Sequence, residues 1–264
     1  MNILLTGAAS GIGKAVLDKL NNNENKIYCL DINKIEENEN VVSFLTDITE
    51  KESLFKVYDY LTDNNITLDC IINVAGIHMM ASLVESDFSK MKRLIDINLT
   101  GTMQVNHTFH SLLNPKGRII IVTSEVANLD PMPFNGLYNV SKTALDSYTQ
   151  ALRQELNLLG QKVITIRPGA IKTPLSDGSL EDTKRLAKST RLYKNESTNF
   201  YRLVTKFMGK PIEAELISEV IYKAVTSKHP KLVYKRHHNP GLVLLNILPK
   251  RMQLFIIKLL LKSK

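Results

Sequence analysis

Tyr138 and Lys142 stand four residues apart in a helical run, and of all the side chains here they are the pair best placed to move a proton. At that spacing two side chains share one face of a helix. A phenol alone is a poor base near neutral pH, since its ordinary pKa is about 10, and a neighbouring positive charge favours its ionised form. Lys142 is therefore expected to lower the Tyr138 pKa toward the range useful for exchanging a proton with a substrate hydroxyl or carbonyl. Upstream, Ser124 ends an apolar strand, and Asn135-Gly136 supplies a turn before the helical run 137–159. Tyr-x-x-x-Lys pairs arise by chance in many helices, so the surrounding elements must decide.

Those elements begin at once. An apolar strand, residues 2–6, runs into Thr6-Gly7-Ala8-Ala9-Ser10-Gly11-Ile12-Gly13 and then a helical stretch over 14–20. Glycines at 7, 11 and 13 allow a tight turn, close approach to a pyrophosphate and packing of helix on strand, while N–H groups at the helix start attract the anion. A second strand, 26–30, is closed by Asp31. A carboxylate there can accept hydrogen bonds from ribose hydroxyls and repels a 2′-phosphate, which favours NAD over NADP. Capping of the strand end is the alternative role for Asp31.

Further strands are expected at 41–45, 68–74, 119–123, 162–167 and 231–234, with helices between them. Thr49 and Glu52 are spaced as a capping box for a helix reaching residue 60. A long helical run spans 87–113 and carries Asn98, Gly117-Arg118 marks a turn, and 211–226 reads as a helix. Alternating strands and helices of these lengths predict an α/β fold, a Rossmann-type doubly wound parallel sheet of about seven strands. Ligand then lies over the carboxyl ends of the strands, where strand order reverses.

Length and composition suit a soluble protein with a full core: 264 residues, 44% hydrophobic. Cys29 and Cys70 sit in apolar strands and read as reduced, packed thiols, and the histidines show no metal-ligand spacing. The first strand starts without a basic and apolar leader pattern before it, so no signal peptide is expected, and no run reaches the roughly 18 to 20 apolar residues that span a bilayer. A cytoplasmic protein without a metal is expected.

Taken together, the glycine turn, Asp47, Asn73-Val74-Ala75-Gly76, Asn98, Ser124, Tyr138 with Lys142, and Pro168-Gly169 to Thr173 resemble the short-chain dehydrogenase/reductase family in its single-domain form. The match runs over 2–173. One departure is Val74, where the family usually has a second asparagine. The resemblance implies an enzyme interconverting a secondary alcohol and a ketone, with Tyr138 as general acid/base, Ser124 holding the reacting oxygen, Lys142 tuning Tyr138 and gripping the nicotinamide ribose, and Asn98 continuing a proton relay. It implies cofactor contacts from Gly7, Ser10, Gly11, Ile12, Gly13, Asp31, Asp47, Ile48, Asn73, Ala75, Gly76, Pro168, Gly169, Ile171 and Thr173. It also implies a homodimer or homotetramer pairing through the helices near Asn98 and Tyr138. A dinucleotide sensor without catalysis, or a membrane-binding Rossmann protein, are the rival readings.

Residues 174–210 fall where the family carries a substrate lid, with Asp177-Gly178-Ser179 as a hinge and amphipathic pieces at 180–192 and 198–208. Leu186, Leu192, Tyr193, Phe200, Tyr201, Leu203 and Phe207 point either to a bulky apolar substrate, steroid-, retinoid- or lipid-like, or to packing against the core. Residues 1–240 then form the catalytic domain and 241–264 a helical extension. After Glu219 no acidic residue occurs, while ten lysines and arginines follow; the whole chain carries +8, so the part before residue 220 is near −2. From Pro249 onward the chain is apolar around most of a helix, with Arg251, Lys258 and Lys262 on one stripe. Such a helix either docks on the core or a subunit, or lies on anionic lipid. Nucleic acid is disfavoured, because the cations lack aromatic stacking partners.

Overall fold

Neighbouring residues in the central strands go to opposite sides. Ile3, Leu5, Ile72, Ile120 and Val122 join one buried cluster, and Leu4, Ile71, Ile119 and Ile121 another. Strands apolar at both parities must be covered on both faces, which is the condition met by a parallel sheet between two helical layers. The computed structural model describes residues 1–207 and 211–262. Its elements run β1 (Asn2–Thr6), α1 (Gly11–Leu20), β2 (Lys26–Asp31), β3 (Val41–Leu45), α2 (Lys51–Asp63), β4 (Leu68–Asn73), α3 (Phe88–Ile95), α4 (Thr102–Phe109), β5 (Leu113–Val122), α5 (Gly136–Leu158), β6 (Lys162–Pro168), β7 (Ile171–Lys172), α6 (Pro174–Ser189), α7 (Lys194–Phe207), β8 (Ile212–Glu213), α8 (Glu215–Thr226), β9 (Val233–Arg236), α9 (Pro240–Ile247) and α10 (Lys250–Lys262).

The main sheet has seven parallel strands in the order β3-β2-β1-β4-β5-β6-β9, a Rossmann-type arrangement as expected. Helices α1 and α8 cover one face; α2, α4 and α5 cover the other. Strand order reverses between β1 and β4, so a crevice opens above Thr6 and Asn73. Thr6 Oγ1 accepts the Val74 and Ala75 N–H groups at 3.2 and 3.3 Å, tying the two strand ends together there. Cys29 and Cys70 are buried and free, with burial pushing both thiols up to about 12.

Several local expectations are corrected. Thr49 does not cap α2. It gives its N–H and hydroxyl to Asp47 Oδ1 at 2.9 and 2.7 Å, because a carboxylate two residues back is a stronger acceptor than the helix end is a donor, and Glu50 takes the cap position without a side-chain bond. The helical run expected over 87–113 is present from Phe88 to Leu112, with a π-helical turn, Asp96–Gly101, between α3 and α4. Gly117 and Arg118 lie inside β5, where the pairing shifts from Leu68↔Leu113 to Cys70↔Arg118 and the extra residues bulge. Gly178 is no hinge, since α6 runs through it from a capping box formed by Thr173 and Ser176, with Pro174 opening the helix.

At the other end of the lid, Ile212 pairs with Ile171 as β8 on β7, so the helix expected over 211–226 starts at Glu215. The last strand falls at Val233–Arg236, two residues later than expected, set by its register with β6. The amphipathic piece expected at 198–208 corresponds to α7, with Met208 outside the described residues. Helices α9 and α10 make up the helical extension expected over 241–264, and Asn239-Pro240 carries the cap-then-proline signal that starts α9: Asn239 accepts the Gly241 and Leu242 N–H groups.

Candidate active site

The turn after β1 is shaped so that only glycine fits. Gly7 has φ +71°, and a Cβ there would lie 2.7 Å from Ala75 N; a Cβ on Gly13 would lie 1.9 Å from the Gly7 carbonyl oxygen. Backbone at these distances brings α1 hard against the end of β1, and the first N–H groups of that helix face the crevice. Ser10, the N-cap, spends no side-chain hydrogen bond on the helix and borders the same space. At the end of β2, Asp31 accepts Ala9 N–H at 2.9 Å and Asn33 N–H at 2.9 Å, which holds its carboxylate at the rim. This cradle fits the diphosphate and ribose of a dinucleotide.

A cavity of about 1060 Å³ extends from this cradle across the sheet ends. Of the residues expected at the site, Gly7, Ser10, Gly11, Ile12, Asp31, Ile48, Ala75, Gly76, Ser124, Tyr138, Lys142, Pro168, Gly169, Ile171 and Thr173 line it. Gly13, Asp47, Asn73 and Asn98 stand behind the lining. Asp47 is engaged with Thr49. Asn73 donates to Asn106 Oδ1 at 2.9 Å. Asn98, in the π-turn, accepts Ile77 N–H at 2.8 Å and donates to Ile77 carbonyl and Ser141 Oγ at 2.9 and 3.1 Å. A π-turn here swings the Asn98 amide inward, where it clamps the loop after β4 to α5.

Helix α5 brings Tyr138 and Lys142 onto the cavity wall. It is pinned to β6 by a two-point contact of Asp146 with Arg167, at 2.9 and 2.6 Å. Ser124 shares a hydrogen bond with the Tyr138 hydroxyl. Lys142 Nζ donates to the Val122 carbonyl at 3.3 Å and lies 5.8 Å from the Tyr138 ring centre. In this arrangement burial pushes the Tyr138 phenol up to about 12, opposed by the Ser124 hydrogen bond, and pushes Lys142 down to about 8. In the protein by itself the Tyr138 phenol is therefore raised, with loss of water around it the first cause.

Sequence reasoning missed three contributors. His78 packs its ring against Tyr138, centres 4.2 Å apart, and meets Asn135 Oδ1 through Nε2 at 3.0 Å, while Nδ1 is buried without a partner. A titratable residue two positions after the Asn73-to-Gly76 motif, beyond the ligand end of a strand, was the available signal. Glu125, next to Ser124, accepts Asn239 N–H at 2.5 Å, and burial raises its pKa. The third is the segment 237–248, which closes one side of the cavity. It meets the chain just past β6 at Gly169, where a Cβ would lie 1.8 Å from the His237 carbonyl oxygen.

Of the apolar lid residues, Phe200 and Leu203 line the cavity, Leu186 and Phe200 are buried, Tyr193 packs edge-on to Phe134 at 5.5 Å, and Leu192 is exposed. Phe200 thus both lines the cavity and belongs to the packed cluster beneath the lid.

Burial lowers His78 to about 4. Its folded pKa lies below its ordinary 6.5, so the stability associated with neutral His78 is present above pH 6.5 and lost as pH falls through 4. Thermal or denaturant unfolding of His78→Gln is expected to show a smaller loss between those pH values than wild type, by about 3 kcal/mol. Parallel pH curves for the two proteins would count against the burial of this ring.

A family model described as short chain dehydrogenase matches residues 1–184. An uncharacterized oxidoreductase of Staphylococcus saprophyticus is 29% identical over 185 residues, 66% of this chain and 79% of that protein. An NADPH-dependent 1-acyldihydroxyacetone phosphate reductase of Schizosaccharomyces pombe is 30% identical over 186 residues, 67% of this chain and 62% of that protein. Among solved structures, a short chain dehydrogenase from Burkholderia cenocepacia in complex with NADP superposes with a TM-score of 0.73 at 20% identity, covering 100% of this chain and 98% of the other. A 3-ketoacyl-(acyl-carrier-protein) reductase from Brucella melitensis complexed with NADH gives 0.72 at 18% identity, covering 89% and 95%. At those identities the structures bear on the fold.

Proposed function

Because the chain belongs to the short-chain dehydrogenase family of oxidoreductases, we propose that it interconverts a secondary alcohol and a ketone on a largely apolar substrate, with NAD(H) favoured over NADP(H). The observation that carries this reading is the convergence of Ser124, Tyr138 and Lys142 on one wall of a cavity whose opposite end is the glycine cradle. A bound nicotinamide dinucleotide supplies the two-electron chemistry. The protein's own part is to hold the reacting oxygen between the Ser124 and Tyr138 hydroxyls and to give or take a proton at the Tyr138 oxygen. Lys142, positively charged below about pH 8, stands ready for ribose hydroxyls. Asn98 and Ser141 order the loop and helix around it, and Asn98 continues the proton relay.

Substrate size and polarity follow from the rest of the wall, where Met80, Met132, Phe200, Leu203, Leu245 and Leu248 face the same space. One relative carries an acyl group in its name, in keeping with a lipid-like substrate. Residues 1–240, the lid included, form the catalytic domain, residues 241–264 extend it, and the protein works in the cytoplasm as a homodimer or homotetramer paired through α4 and α5. A sensor without turnover has no comparable support, since every proton-handling residue is present.

Preference for NAD rests on Asp31, whose carboxylate at the rim would accept ribose hydroxyls and repel a 2′-phosphate. Calorimetric binding is expected to favour NADH over NADPH in wild type and to lose that preference in Asp31→Ala, with a change of roughly 10- to 100-fold in the ratio of the two affinities. Tighter binding of NADPH by wild type would overturn the assignment. A screen of apolar ketones and secondary alcohols, read by nicotinamide absorbance, tests the reaction; turnover confined to small polar substrates would overturn the substrate class.

A further inference from the structure

Helix α10 meets the protein along one face. Gln253, Ile257 and Leu261 turn inward; Leu261 joins Met80, Phe200 and Val204 in a buried cluster with Ile257 packed against it, and its carbonyl accepts Asn199 Nδ2 at 3.0 Å. The tail therefore docks on the lid. The opposite face is left to solvent, and it is apolar: Met252, Phe255 and Leu259 are 49%, 66% and 59% exposed. At i, i+3 and i+7 these three form one band, and Arg251, Lys258 and Lys262 run as a stripe beside it. Helix α9 has no buried residue at all and adds Ile247, 74% exposed.

Charge decides what covers such a face. Ten cations and no acid follow Glu219. Lys250 is paired with Asp130, which fixes the start of α10. Among the described residues no ion pair joins Arg251, Lys258 or Lys262 to a carboxylate. A second copy docked face to face would set this cationic stripe against itself, because a two-fold contact pairs a patch with the same patch. A polyanionic surface that also accepts aliphatic side chains matches both properties at once, and that is the headgroup and upper acyl region of an anionic bilayer. The inner sides of the same helices, through Leu244, Leu248, Ile256 and Leu260, line the cavity.

We propose that the outer face of α9 and α10 is a docking surface for an anionic lipid bilayer, on which the protein lies peripherally with the tail side of its cavity turned to the membrane. An apolar substrate then reaches the Tyr138 wall from the lipid phase through one helical layer; this consequence rests on the apolar-substrate reading given above. Among the described residues no helix is long and apolar enough to cross a membrane, so the contact is interfacial.

The test is co-sedimentation of the full chain with vesicles of phosphatidylcholine alone and of phosphatidylcholine mixed with phosphatidylserine, at low ionic strength and without substrate or nucleotide. Wild type is expected to pellet with the mixed vesicles and to stay largely in the supernatant with the neutral ones. The triple variant Arg251→Gln, Lys258→Gln, Lys262→Gln and the double variant Phe255→Ser, Leu259→Ser are each expected to lose partition by roughly 100-fold. All five positions are exposed, and an unchanged thermal melt confirms that each variant folds. Equal recovery on both vesicle types, no pelleting with either, or partition unmoved in the variants would overturn the proposal. So would a dimer, seen by sedimentation velocity, that dissociates in Phe255→Ser, Leu259→Ser without vesicle binding, since that assigns the face to a second copy. Vesicle binding is read without turnover, so an inactive protein that still binds would count against the oxidoreductase reading alone.

Discussion

Tyr138→Phe is expected to lower turnover about 1000-fold while nucleotide affinity is retained. The substitution removes one hydroxyl and keeps the ring that packs 4.2 Å from His78, so the wall of the cavity stays in place. On the proposed mechanism, what is lost is the proton donor and acceptor for the reacting oxygen, together with one partner of Ser124. Because burial holds the phenol near 12, Tyr138 is protonated through the neutral range. Reduction, which needs the protonated form, is then sustained into alkaline pH, whereas oxidation, which needs the phenolate, gains with rising pH. Lys142 sets a limit on that gain, since it loses its charge above about pH 8. Steady-state rates and nucleotide titrations on the same preparations check both halves. Unimpaired turnover in Tyr138→Phe would move the proton chemistry to another group, with Glu125 and His78 the nearest on the cavity wall.

Gly13→Ala is expected to cost roughly 3 kcal/mol of stability and to abolish nucleotide binding. The added carbon would lie 1.9 Å from the Gly7 oxygen and 2.7 Å from its carbonyl carbon. These are backbone atoms in the tight turn that joins β1 to α1, so neither rotates aside as a side chain would. Helix α1 must lift away, which opens the buried contacts of Val16, Leu17 and Leu20 against the sheet and moves the anion-binding N–H groups off their target. Gly178→Ala is the matching control, because a Cβ there has nothing within 4 Å and lies inside α6. It is expected to stabilise by about 0.5 to 1 kcal/mol through the higher helix propensity of alanine. Melting curves and calorimetric titration of the two variants separate a steric effect at the cradle from a general intolerance of glycine replacement. Wild-type stability in Gly13→Ala would contradict the close packing of α1 on β1.

The strands that meet the site were legible because their signal is local. A run such as 119–122 is apolar at both parities, and such a run must be buried on both faces wherever the chain places it. The cradle was legible for the same reason: glycines at fixed offsets after a strand have few other uses. Local signals that competed with a nearer partner misled. Thr49 was spaced as a cap, yet the Asp47 carboxylate lies closer than the helix end and is charged. Gly178 read as a hinge because glycine weakens a helix, but Thr173, Pro174 and Ser176 nucleate α6 strongly enough to carry it through.

The sequence by itself determined the parallel α/β sheet, the glycine cradle, Asp31 at the end of β2, and the helical spacing of Tyr138 and Lys142, since each depends on residues a few positions apart. Tertiary structure alone decided the environment of those groups. The raised Tyr138 pKa follows first from burial of its phenol in the folded chain. Only the folded chain brings Glu125 to Asn239, sets His78 against Tyr138, and seats α9 and α10 over the cavity with one apolar face inward and another outward. Burial and long-range contact are properties of the whole packing, and no short stretch of sequence encodes them.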